Sequence, residues 1–280
     1  MRSVLYSSFT AGIFVAGLSF FAVPAQADPF LPGVQNLNFL SYTGTAPKST
    51  FTNVNPVGWT GGSGLIFIDA PGTADDGSYL SVYGPFPKNS PVGGNFVEAD
   101  GNPTFESGFN QTITGLTPGQ TYTLSFYQAA GQQVGFGTGL ATTEQWIVSL
   151  GTAGLKLKGG GPVDPTYGPT DLYYNTDSSA SIVSSQLMTT PSGGVTPWQY
   201  VSVNLTADST TDLLSFLAWG DNGSTINLPP IVFLSGVNSV NVTTPEPGSA
   251  SLFAIIVLLG LGVAMWRRRA GIRRRSVESV

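Results

Sequence analysis

The sequence contains no cysteine and no histidine, and both absences remove chemistry. Without cysteine there is no disulfide, no thiol nucleophile and no thiolate metal site. Without histidine there is no Ser-His-Asp triad, no imidazole general base and no histidine-ligated zinc. Positive charge is scarce as well. Between Asp28 and Thr244 only Lys48, Lys88, Lys156 and Lys158 stand against fourteen acidic residues, a formal charge of −10. Neutralising phosphates takes clustered Lys and Arg, so this balance argues against nucleic acid and repels anionic polymers. Neutral glycans, cations and proteins remain as partners, and carboxylate, hydroxyl, amide and lysine groups remain as chemistry.

The other basic residues sit at the two ends. Met1 to Ala27 has a positive start at Arg2, an apolar middle from Ala11 to Val23, and Ala25-Gln26-Ala27 as a small-x-small site. This reads as a secretory signal peptide cut before Asp28. At the far end Pro245-Glu246-Pro247 precedes seventeen uncharged residues, Ala250 to Trp266, followed by Arg267, Arg268, Arg269, Arg273, Arg274 and Arg275. A helix over that run would be roughly 26 Å long at about 1.5 Å per residue, just short of a bilayer core. The arginines can reach back to the headgroups and place the C-terminus in the cytoplasm. The prolines keep the backbone before the helix extended and short of amide donors.

These C-terminal residues resemble the PEP-CTERM sorting signal of Gram-negative bacteria. The resemblance implies an exported precursor tethered to the inner membrane by a transient helix. It would be processed near Pro245, Glu246 and Pro247 by an exosortase, a membrane cysteine protease-transpeptidase, and delivered to the outer surface or extracellular matrix. The alternative is an ordinary, permanent C-terminal anchor.

Between the two ends the chain reads as all-β. Short runs of β-branched and aromatic residues are bounded by Gly, Pro, Asn or Asp, and no helical period is sustained. The clearest strand is Thr121 to Ala129, where Tyr122, Leu124 and Phe126 alternate with Thr123, Ser125 and Tyr127. Pro118-Gly119 before it suits the central positions of a type II turn. Strands are also expected at Val34 to Phe39, Leu65 to Ile68, Tyr79 to Tyr83, Glu144 to Leu150, Tyr200 to Leu205, Leu213 to Ala218 and Ile231 to Val242. At least eight short strands at this spacing predict an antiparallel β-sandwich or jelly roll in one domain, 28–244. Pro71 to Gly77, Pro85 to Gly94, Gly159 to Pro169 and Pro191 to Pro197 read as loops too polar and broken to be core.

A second resemblance rests on Glu98-Ala99-Asp100-Gly101, Gly115-Leu116-Thr117-Pro118-Gly119, Tyr122-Thr123-Leu124-Ser125-Phe126, Ala129-Ala130-Gly131-Gln132-Gln133, Thr143-Glu144-Gln145-Trp146 and Pro197-Trp198. From about Asn95 to Val242 the chain resembles PEP-CTERM ectodomains similar to the galactose-binding-like jelly roll. That pattern has an Asp-Gly-Val turn at its last strand. Here the residues are Leu234-Ser235-Gly236-Val237, without the aspartate that a ligand or calcium role would use.

Two kinds of site can be nominated. Asp75 and Asp76, with Asp69, and Asp100, with Glu98, offer hard oxygens on Gly-containing stretches, as a structural calcium would need. The competing reading makes Asp76-Gly77 and Asp100-Gly101 turns before strands. Trp59 and Trp198 lie at loop-strand junctions where a ring can stack on a sugar face, or else be buried; Trp146 and Trp219 read as core. No catalytic residue is nominated. Two carboxylates can hydrolyse a glycoside, but nothing in the spacing of Glu98, Glu106 and Glu144 separates them from structural residues. The expected role is a non-catalytic surface or matrix protein associated with exopolysaccharide, with a neutral-glycan-binding module as the alternative.

Overall fold

The computed structural model describes residues 28–62, 64–105, 107–136, 139–157, 173–175, 177–221 and 228–240. The signal-peptide residues Ala25 and Ala27, Glu106, and the sorting segment from Pro245 through Arg275 lie outside them.

Among the described residues fourteen strands follow in chain order. They are β1 (Ser49–Thr50), β2 (Thr60–Gly61), β3 (Ile66–Asp69), β4 (Phe96–Asp100), β5 (Gly108–Thr114), β6 (Thr121–Gln132), β7 (Thr142–Gly151), β8 (Leu155–Leu157), β9 (Tyr173–Asn175), β10 (Ser181–Ser184), β11 (Met188–Thr190), β12 (Val195–Thr206), β13 (Thr211–Asp221) and β14 (Pro230–Ser235). One sheet has the order β1-β3-β4-β14-β6-β12. The second runs β10-β7-β13-β5-β2, with β11 also pairing β7, and β8 and β9 form a separate antiparallel pair. Every pairing between these strands is antiparallel, and the two large sheets pack face to face as the sandwich that the sequence predicts.

Alternation decides which side chains fill the gap between the sheets. Tyr122, Leu124 and Phe126 of β6 and Trp146, Val148 and Leu150 of β7 point into it, as do Leu214, Phe216 and Ala218 of β13. Phe109 and Phe216 stack with centroids 5.1 Å apart, and Trp146 meets both edge-on. Trp146 also donates its indole N–H to the Phe233 carbonyl at 3.1 Å, tying the second sheet to the first. The turn at Pro118-Gly119 has Gly119 at φ 80° and the Gln120 amide on the Thr117 carbonyl, the geometry that its glycine permits.

Four expectations change. Val34 to Phe39 is not a strand: Asn36 and Phe39 adopt positive φ, and the Asn36 side chain binds the Ser41 amide, the Ser41 carbonyl and the Val57 carbonyl. Asparagine's local hydrogen bonding defeats the alternating pattern there. Tyr79 to Tyr83 is a turn with one bridge, Val82 to Gln133. The last strand stops at Ser235, because Gly236 at φ 63° turns the chain and drops Val237 into the core. Finally, Pro71 to Gly77 and Pro85 to Gly94 are not merely polar loops. Ala74, Leu80, Val82 and Phe86 cover the outer face of the first sheet and bury Phe96, Ala129, Ile231 and Phe233 in a second core.

Candidate functional site

The outer face of the second sheet carries an open cleft of about 310 Å³. Its floor follows from the period of two. On β13, Leu214 and Phe216 go inward, so Leu213, Ser215 and Leu217 face out; on β5, Phe109 goes inward and Gly108 and Asn110 face out. Register brings Asn110 opposite Ser215 and Gly108 opposite Leu217. Gly62, bonded to the Gly108 carbonyl, borders one side, and Gly154 and Leu155 border the other. The glycines leave the floor uncovered, so a sheet surface becomes a depression.

Among the described residues no charged side chain lines the cleft. The Ser215 hydroxyl lies at the floor, buried and without a hydrogen-bond partner among the described residues. A buried hydroxyl left unpaired costs free energy of order 1–3 kcal/mol, which a ligand group can recover. With Asn110 as a second polar group among Leu213, Leu155 and Leu217, the arrangement can bind a neutral molecule with both hydroxyls and apolar faces. Among the described residues no carboxylate lines it.

The nominated tryptophans lie elsewhere. Trp59 is a core residue, 4% exposed, with its N–H on the Gln35 carbonyl and its ring against Phe39, Phe109 and Phe216. The flanking glycines let the chain turn inward, rather than leaving the ring out. Trp198 is half-buried and packs edge-on against Phe86 and Phe96, under the cover of the second core. Neither ring is a free sugar platform. Trp146 and Trp219 are buried, as expected.

The nominated acids are dispersed. Asp75 accepts the Phe86 amide at 2.9 Å, and Asp76 accepts the Ser78 amide in a local turn. Burial would raise the Asp76 carboxyl, but the Ser78 bonds outweigh it and hold the group below its ordinary value. Asp100 is not in a turn before a strand: it ends central strand β4, is 1% exposed and accepts the Asn102 amide. Burial pushes its pKa up to about 6. Among the described residues no three acidic side chains converge as a metal-binding group.

Sequence reasoning overlooked a different cluster. Lys48 Nζ lies 2.9 Å from both Asp69 Oδ2 and Glu98 Oε2, and both carboxyl groups are fully buried on the outer face of the first sheet. Asp69 Oδ1 and Glu98 Oε1 have no donor. Burial raises Glu98 well above the ordinary carboxylate range, and Asp69 beside it adds to the shift. Glu144 is a further buried acid, between the sheets. It accepts the Thr190 hydroxyl on Oε2 with the Thr142 hydroxyl also beside it, and burial outweighs both, pushing its pKa up to about 8.

No family model and no curated protein matches the chain. Among solved structures it is similar to one described as "CBM4 structure and function", at 16% identity over 73% of this chain and 97% of the other, TM-score 0.30. It is also similar to the CBM22-1–GH10 modules of xylanase 10B from Clostridium thermocellum, solved with xylohexaose, at 13% identity over 64% of this chain and 25% of that one, TM-score 0.30. A third is the enzymatically active domain of tailspike protein 4 of bacteriophage CBA120, at 11% identity over 69% and 21%, TM-score 0.31.

Proposed function

We propose that this is an exported, non-catalytic surface protein whose sandwich holds a neutral glycan in the cleft over β5 and β13. The observation that carries the binding role is the unpaired Ser215 hydroxyl at the floor of an uncharged depression. At about 310 Å³ the cleft is at the small end of the range that holds small ligands, about 300–1,000 Å³, which suits one sugar unit or a chain end. Delivery rests on the two ends of the sequence. The signal peptide would start export, and the Pro245-Glu246-Pro247 segment with its apolar run and arginines would be the exosortase substrate at the inner membrane. The product would reach the outer surface or an exopolysaccharide matrix.

Gly154 provides the test. A Cβ built there meets only Leu213 and Ser215 at 3.5 and 3.6 Å, ordinary contacts, so a larger side chain enters the cleft without moving the backbone. On an array of neutral glycans the wild-type protein is expected to bind, and Gly154→Leu to lose at least tenfold in affinity with unchanged melting. Equal binding by both, or no binding by either, refutes the reading. For delivery, mass spectrometry of surface-associated protein is expected to find the Arg-rich tail removed.

A further inference from the structure

We propose that Lys48 and Asp69 condense to an intramolecular isopeptide bond, with Glu98 as the group that moves the protons. The geometry is independent of the cleft and holds whether or not a glycan binds there. In the β1–β3 ladder Ser49 pairs with Ile68 and Thr50 with Phe67, so the next step of the register sets Lys48 against Asp69. The Lys48 amide donates to the Ile68 carbonyl at 2.8 Å, which fixes that step. Lys48 has φ 70°, a left-handed conformation that a lysine adopts rarely, and it turns the side chain over the sheet.

The amine nitrogen stands 2.9 Å from Asp69 Oδ2. Condensation within one molecule is fast when the reacting groups are held together, and the Nζ–Oδ2 contact places the amine against the carboxyl group it would attack. Glu98 is diagonal to Asp69 across the β3–β4 ladder, with its Oε2 2.9 Å from the same amine. Both carboxyl groups hold the same Lys48 amine, and burial with Asp69 beside it favours the protonated form of Glu98. Phe67 and Phe96, which pair with Glu98 and Asp69 in the ladder, keep the surroundings apolar.

The step balances without a co-reactant. With Glu98 protonated, the cluster holds one ammonium and one carboxylate; moving the lysine proton to Asp69 leaves the proton count unchanged and removes both charges from a poorly solvated site. The neutral amine then attacks Asp69 Cγ while Glu98 protonates the carboxyl oxygen. Glu98 next takes the proton from the new C–N nitrogen and returns it to the departing hydroxyl, and as the C=O re-forms the remaining hydroxyl proton passes back to Glu98. The C–N bond forms, a C–O bond breaks, one water leaves, and Glu98 ends as it began. The product ties the two-residue edge strand β1 to β3. In an exported chain without cysteine, it would do the work of a disulfide in a form that reductants do not cut.

Trypsin reads the outcome on the full chain, because Lys48 and Lys88 are its only cutting sites between Asp28 and Glu98. The expected product is one peptide running through Lys48 to Lys88, lighter than its sequence by one water, with fragment ions placing the link between Lys48 and Asp69. Glu98→Gln, which keeps the shape of the side chain, is expected to restore cleavage after Lys48 and the full mass. Three results overturn the proposal: wild-type protein cut at Lys48 with no mass deficit; a link from Lys48 to Glu98, which joins the 89–156 peptide instead; or an undiminished link in Glu98→Gln. The wild-type digest decides the matter even where the variant does not fold.

Discussion

Raising the pH from about 5 to about 9 is expected to destabilise the wild-type protein, and Glu144→Gln is expected to remove most of that loss. Burial holds the Glu144 carboxyl near pKa 8, against 4.5 for the ordinary group. Between those values the folded chain keeps a proton that the unfolded chain has released. The stability associated with the protonated form is therefore complete below about pH 4.5, falls through the window, and is lost above about pH 8. Asp100, raised from 3.8 to about 6, steepens the lower part of the same window. At about 1.4 kcal/mol per pKa unit, the Glu144 contribution is of order 5 kcal/mol. Glutamine retains the acceptor for the Thr190 hydroxyl and cannot ionise, so urea denaturation of Glu144→Gln should show a flatter pH profile and greater stability at about pH 9. A wild-type profile that is flat or rises with pH contradicts this.

Lys48→Met is the second large effect, with an expected loss of roughly 3–5 kcal/mol at neutral pH. The substitution keeps most of the aliphatic stem but removes the cation that, before any bond joins Lys48 to Asp69, contacts two fully buried carboxyl groups, and with it the bond itself. An unpaired buried charge is what makes such a loss large, whereas removing all the charges together is often tolerated. The triple variant Lys48→Met, Asp69→Asn, Glu98→Gln should therefore recover the part owed to the unpaired carboxylates. Acidification should narrow the gap between Lys48→Met and wild type, since protonation neutralises the same groups. Equal urea midpoints for Lys48→Met and wild type at neutral pH would contradict the account.

The sequence shows the sandwich where each strand has one buried face and one more polar face. Thr121–Gln132 is the clearest case, because apolar and polar residues alternate in its first half and a Pro-Gly turn precedes it. Phe96–Asp100 is hidden for the opposite reason. Its outward residues Phe96, Glu98 and Asp100 are buried under the 70–94 excursion, so carboxylates occupy positions that composition assigns to the surface. The partner that makes Glu98 tolerable is Lys48, fifty residues away, and no local pattern joins them. Phe86 was equally hidden: it stands among prolines and polar residues, yet stacks 4.4 Å from Phe233. The cleft depends on register rather than motif. Asn110 and Ser215 become neighbours only when β5 pairs with β13, and the openness of the floor comes from glycines that, read singly, mark turns.

Calorimetric titration of wild-type protein and Gly154→Leu, side by side, with one neutral glycan selected on the array tests the central claim most directly. The account predicts saturable heat for the wild type, the same affinity at about pH 5 and about pH 8 because no ionisable group among the described residues lines the cleft, and no measurable heat for the variant. Saturable heat of equal size from both proteins would place the glycan elsewhere and contradict it.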